Sequence, residues 1–219
     1  MTHLRAAPET TLWWVAVAMV GARTAAMAFN RLADHRLDAA NPRTAARPLP
    51  SGTLSRTWAW CVVGLSAVAF VVAAGMLNRT CLLLAPPTLA VLLGYSYAKR
   101  FTSLSHVWLG AALGLAPIGA WLAVTGSLSW PPVILGAAVT CWVAGFDVVY
   151  SLQDEAFDRA HGLRSIPSRM GVGPALVIAR ALHVAALIGF GAFAVAAGGG
   201  AIRLAAVAAS AVLLVWQHR

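Results

Sequence analysis

The sequence predicts an all-α protein, a polytopic transmembrane helix bundle with about seven spans. Three observations predict it. Hydrophobic residues make up 60% of the 219-residue chain, and mean hydropathy is +0.76. Only 11% of residues are charged, against about 25% in a soluble domain. The apolar residues fall in seven runs, roughly 12–30, 57–77, 80–98, 105–125, 131–150, 174–197 and 201–217, near the ~17–25 residues that cross a bilayer. Backbone polar groups in lipid must be bonded within their own segment, so such runs form helices.

The first run resembles a cleavable leader, with Arg5 ahead of it and "AMA" at 26–28. Arg23 interrupts it, however, and "NRLADHRLD" at 30–38 continues the helical spacing across the supposed cleavage point. It is therefore expected to remain as a span. The second, third and fifth runs each contain one of the three cysteines, Cys61, Cys81 and Cys141. An odd count without metal-like spacing argues for small packing side chains rather than a disulfide framework.

The connecting loops set the orientation. Those after the first, third and fifth runs share one side and hold Arg31, Arg36, Arg43, Arg47, Arg56, Lys99, Arg100, Arg159, Arg164 and Arg169. The opposite side has Arg5, Arg79 and Arg203. The basic side is the cytoplasmic one. The net charge of +9 thus orients the chain and meets anionic groups at the membrane face; no nucleic-acid partner is expected. With seven spans the N-terminus falls outside.

The acids are less evenly spread. Six of the seven, Asp34, Asp38, Asp147, Asp154, Glu155 and Asp158, lie in two short clusters at cytoplasmic helix ends. Carboxylates at membrane depth are costly and mark functional sites. Positions i, i+4 and i+8 of a helix form one stripe, which groups Asn30, Asp34 and Asp38, with Arg23 and Met27 deeper on the same stripe. Asp147, Tyr150, Asp154 and Asp158 follow the same logic, and Asn30/Tyr150, Asp34/Asp154 and Asp38/Asp158 are each 120 positions apart. Two acidic stripes meeting at one membrane face would repel without cations between them. Paired hard oxygens suit Mg²⁺, which completes its octahedron with water and phosphate oxygens. Arg43, Arg47, Lys99, Arg100 and Arg164 in the cytoplasmic loops are candidates for binding a diphosphate. A proton or cation path is the rival; it predicts acids near mid-membrane on broken helices, whereas these sit at helix ends beside basic loops.

The motifs resemble those of the UbiA superfamily of intramembrane aromatic prenyltransferases. "NRLADHRLD" resembles its NxxxDxxxD motif, "NPRTAARPLPSG" its R-P-L-P-S-G loop, "YSYAKRFT" its Y-x-x-x-K-R segment, and "DVVYSLQDEAFDRAHGLRSIP" its DxxYxxxDxxxD motif. The longer stretches look most like the branch that makes quinone precursors, either 4-hydroxybenzoate polyprenyltransferase or its menaquinone (futalosine-route) counterpart. The resemblance implies one prenyltransferase domain over 1–219, in the cytoplasmic (inner) membrane with its site facing the cytoplasm. Family members usually have nine helices, so the first and last would be absent here; one restored helix would return the N-terminus to the inside. It further implies that Asn30, Asp34, Asp38, Asp154 and Asp158 hold Mg²⁺ on a polyprenyl diphosphate. Asp147 and Tyr150 would position or deprotonate an aromatic acid acceptor, and Arg23 would meet its carboxylate. The isoprenoid tail would lie among the Ala/Gly-rich helices and membrane lipid. Another acceptor of the same superfamily, haem or chlorophyll, and a non-catalytic membrane protein or transporter are the alternatives.

Overall fold

The computed structural model describes residues 9–218, and among these every regular element is helical. In order they are α1 Glu9–Ala33, α2 His35–Ala40, α3 Arg56–Leu77, α4 Arg79–Ala98, α5 Ser105–Thr125, α6 Trp130–Ser151, α7 Glu155–Ala160, α8 Ile166–Met170, α9 Val172–Ala196 and α10 Ala201–Gln217. A short 3₁₀ turn, Leu152–Asp154, joins α6 to α7. Six stretches are long and apolar enough to cross a membrane, with Trp130–Ala160 counted as one. The seventh apolar run becomes α10, shorter at 17 residues, or about 25 Å at 1.5 Å per residue. The chain is an integral membrane protein. Arg5 lies outside the described residues.

Burial shows which solvent the bundle is built for. Ala25, Ala73, Ala144, Ala175, Ala179 and Ala186 are fully buried, while Leu65 is 73% and Ile188 68% exposed. A water-soluble core would reverse this. Lipid tails solvate large apolar side chains as well as other side chains do, so interfaces use small residues that let backbones approach. A Cβ on Gly21 would lie 2.9 Å from the Ser66 carbonyl oxygen, and one on Gly136 would lie 2.6 Å from that of Gly114. Those two contacts hold α1 against α3 and α5 against α6. The cysteines are unpaired; Cys61 faces outward on α3 rather than packing, whereas Cys81 and Cys141 are half-buried. Pro86 and Pro87 in α4 and Pro117 in α5 sit inside helices, which transmembrane helices tolerate.

The chain divides into two compact units. The first runs to Tyr97 and includes Gly119–Ser127; the second comprises Ala98–Ile118 and the chain from Leu128 onward. In the first, α1 packs along α3; in the second, α6 packs along α9, and α9 also carries α10. Within the first unit Asn78 starts α4, accepting the Cys81 N–H at 2.9 Å and donating to the Leu122 carbonyl at 2.9 Å.

Both motif helices break at matching positions. Asp34 (φ −93°, ψ 7°) separates α1 from α2, and Asp154 (φ −105°, ψ 5°) precedes α7. Each break is followed by a helix of six residues that buries its aspartate, Asp38 or Asp158. The single continuous stripe expected of the second motif helix is corrected by this. At the first break the register survives, because Asp34 N–H donates to Asn30 O (2.9 Å) and Asp38 N–H to Asp34 O (2.7 Å). At the second, the 3₁₀ turn advances about 120° per residue instead of about 100°. That rotation separates the Asp147–Tyr150 face from Asp158: Tyr150 is exposed while Asp158 is buried.

Candidate active site

The first motif is a folded-back loop on a helix end. Asp34 and Asp38 are only 6% and 7% exposed, and a buried carboxylate needs charge or hydrogen-bond partners. The Asn30 side-chain amide donates to Asp34 Oδ2 at 3.4 Å. For Asp38 the loop supplies the counter-charge: Arg47 Nη1 donates to both carboxylate oxygens, at 2.8 and 3.0 Å. Arg31 stands 3.7 Å from the same carboxylate. Two anchors bring Arg47 back over nine residues. Thr44 Oγ1 donates to the Asp38 carbonyl at 2.9 Å, and Leu49 packs into the cluster of Leu32, Ala59 and Val63. The Asn41 side chain accepts the Arg43 N–H at 3.0 Å, leaving the Arg43 side chain on the exposed face of the loop. Beside the motif, Phe29 meets Trp60 and Tyr97 edge-on, each at 5.8 Å. Arg23, two turns earlier on α1, is exposed.

The second motif is stabilised differently. Asp158, 6% exposed, is hydrogen-bonded by the Ser165 hydroxyl, with the Lys99 charge nearby. Its carbonyl accepts the Leu163 N–H at 2.8 Å, so the chain turns back immediately after α7. Ser168 Oγ lies 2.8 Å from the Leu163 carbonyl and 2.9 Å from that of Ser165, holding the turn and the start of α8. Arg164 ties this turn to the Lys99–Phe101 segment: its N–H donates to Lys99 O (2.7 Å) and its Nη1 to Phe101 O (2.8 Å). Lys99 is half-buried and Arg100 exposed. Asp154 is half-buried at the helix break. Glu155 pairs with Arg159 one turn on. Deeper on α6, Asp147 bonds to His106, and Tyr150 stacks on Phe146 with ring centroids 6.4 Å apart.

The donor chemistry fits a hard divalent cation. Asn30, Asp34 and Asp38 in one motif, and Asp154 and Asp158 in the other, present oxygen only. Among the described residues no three His, Cys, Asp or Glu side chains gather into a group that could hold a metal ion by themselves. Mg²⁺ takes one or two carboxylates and fills its shell with water and substrate phosphate.

A family model described as the UbiA prenyltransferase family matches residues 2–219. The chain belongs to that family. As a UbiA family member it falls in an enzyme class, the transferases of prenyl groups. The 4-hydroxybenzoate octaprenyltransferase of Cronobacter sakazakii is 32% identical over 211 residues, covering 95% of this chain and 72% of that protein. The protein of the same name from Sodalis glossinidius is 32% identical, covering 90% of this chain and 68% of the relative. Among solved structures, the apo UbiA homolog of Aeropyrum pernix K1 superposes with a TM-score of 0.92 at 39% identity, covering 98% of this chain and 82% of that one. The Archaeoglobus fulgidus UbiA homolog bound to DMAPP and Mg²⁺ shares the fold, with a TM-score of 0.78 at 16% identity, over 97% of this chain and 76% of its own.

Two contributors escaped the sequence reading. His106 stands 41 positions from Asp147, and no local spacing links them. Ser165 was legible only as part of the "SIP" stretch; its position after the Gly162–Leu163 turn is the signal that could have marked it.

Proposed function

We propose that this chain transfers a polyprenyl group from its diphosphate to the ring of an aromatic acid, of the 4-hydroxybenzoate or dihydroxynaphthoate type, in quinone biosynthesis. The observation that carries the reading is the burial of Asp34 and Asp38 in one hydrogen-bonded register at the end of a membrane-length helix, in a chain whose relatives are named for that transfer. The DMAPP and Mg²⁺ bound by the Archaeoglobus fulgidus homolog support the choice of donor and metal.

In this reading the two motif-bearing units serve one prenyltransferase domain. Asn30, Asp34, Asp38, Asp154 and Asp158 hold Mg²⁺. When bound, the ion neutralises charge on the leaving diphosphate. Arg47 uses one nitrogen on Asp38 and has others for phosphate oxygens; Arg43, Lys99, Arg100 and Arg164 add positive charge at the same membrane face. The allylic C–O bond breaks, diphosphate departs with the electron pair, and a ring carbon bonds to the prenyl carbon. Asp147 accepts the ring proton that is displaced, and Tyr150 lines the acceptor. Arg23 meets the acceptor carboxylate. The ten basic residues of the odd-numbered loops support a cytoplasmic (inner) membrane location with the motifs on the cytoplasmic side.

The test is direct. Purified protein in lipid vesicles is given radiolabelled polyprenyl diphosphate with a panel of aromatic acids and haem and chlorophyll precursors, with Mg²⁺ or with EDTA. Both prenylated product and solute taken up by the vesicles are measured. The account expects a prenylated aromatic acid that forms only with Mg²⁺. Product on a haem or chlorophyll precursor alone would replace the acceptor, and solute uptake without transfer would overturn the reading.

A further inference from the structure

We propose that His106 is a positioning residue that holds Asp147 in one orientation for the acceptor side of the reaction. The proposal rests on the prenyl-transfer reading. His106 is the second residue of α5 and is 3% exposed. Its Nδ1 lies 2.6 Å from Asp147 Oδ2, and its Nε2 accepts the Ile166 backbone N–H at 3.2 Å. A backbone N–H can only donate, so Nε2 presents a lone pair and the ring proton sits on Nδ1. His106 is therefore a neutral imidazole donating Nδ1–H to the Asp147 carboxylate.

Three elements of one unit converge on this ring: α5 supplies it, α6 supplies Asp147, and the start of α8 supplies the Ile166 N–H. Ile166 follows Ser165, the residue that bonds Asp158, so the same turn supports two of the second motif's aspartates, Asp147 through His106 and Asp158 directly. The occupied Nε2 has a further consequence. A proton arriving at Asp147 cannot be passed through the ring, because the far nitrogen already accepts a fixed amide. His106 orients; it does not relay. Asp147, whose side chain is 28% exposed, keeps Oδ1 for an acceptor.

Two measurements test the proposal independently. In protein labelled with ¹⁵N-histidine, the His106 signals, assigned by their loss in His106→Asn, should report the Nδ1–H neutral tautomer; an Nε2–H tautomer or an imidazolium overturns the geometry whether or not the protein turns over. In kinetics, His106→Ala should raise the acceptor KM or lower kcat by roughly 10- to 100-fold, since small misplacements of a reacting group have effects of that size. The KM for polyprenyl diphosphate should stay within about twofold, since that variant leaves both diphosphate motifs in place. His106→Asn puts an amide N–H close to the Nδ1 position and cannot shuttle protons; it should recover most of the loss. An unchanged acceptor KM and kcat in His106→Ala, or no recovery in His106→Asn with wild-type melting, overturns the positioning role. A wild-type protein that transfers no prenyl group would instead defeat the functional reading, leaving the tautomer result to decide the geometry.

Discussion

The two aspartate motifs share a backbone plan and differ in how they hold their anions. Both break a long helix at an aspartate, Asp34 or Asp154, both restart it for six residues, and both bury the last aspartate. In the first, Asp38 is closed by a guanidinium, Arg47, delivered by a loop anchored through Thr44 and Leu49. In the second, Asp158 is held by the neutral hydroxyl of Ser165, and a further carboxylate, Asp147, is fixed by an imidazole. The two motifs share their carboxylates and differ in the supports around them. Asp38 has a guanidinium of its own loop in direct contact, whereas Asp158 has a hydroxyl in contact and the Lys99 charge nearby.

The largest expected effects test what is common to both. Asp34→Ala and Asp154→Ala should each slow Mg²⁺-dependent transfer by about 100- to 1000-fold, the scale for removing a preorganised electrostatic contact. Melting should stay near wild type, as checked by thermal unfolding in detergent. A large loss in one and none in the other would break the equivalence. Next comes the difference between supports. Arg47→Ala removes the bidentate partner of a buried carboxylate, leaving Arg31 at 3.7 Å, and should lower stability by about 1–3 kcal/mol; adding Asp38→Asn should return part of that, because the under-compensated charge is gone. Ser165→Ala removes a neutral donor and should have a smaller effect, about 1 kcal/mol, on the same unfolding assay. If Ser165→Ala destabilises as much as Arg47→Ala, the contrast between the two motifs fails.

Much of this was legible in the sequence because the signals are local. Apolar run length marks the spans, and the four-residue spacing of Asn30, Asp34 and Asp38 survives as a hydrogen-bonded register. The 120-position offset anticipates the matching helix breaks. The breaks themselves were not legible: a 3₁₀ turn at Leu152–Asp154 differs from an α-helix by one hydrogen-bond shift, which composition does not encode. The Arg47–Asp38 pair depends on a loop folding back, and the His106–Asp147 pair joins two helices. Such pairings follow from tertiary packing, and charge counting could show only that arginines were available nearby. The inside-out burial of alanine and leucine was implicit in the composition, yet which glycines carry the crossings depended on helix rotation.

The central claim of the proposed function is that both motifs serve one Mg²⁺-dependent prenyl transfer. A double-mutant cycle in the transfer assay tests it most directly, using Asp34→Ala, Asp154→Ala and the two combined. Groups that act as a unit give strongly non-additive losses, so the account predicts a double variant scarcely slower than either single one. Losses that multiply, or a single variant working at the wild-type rate, would contradict it.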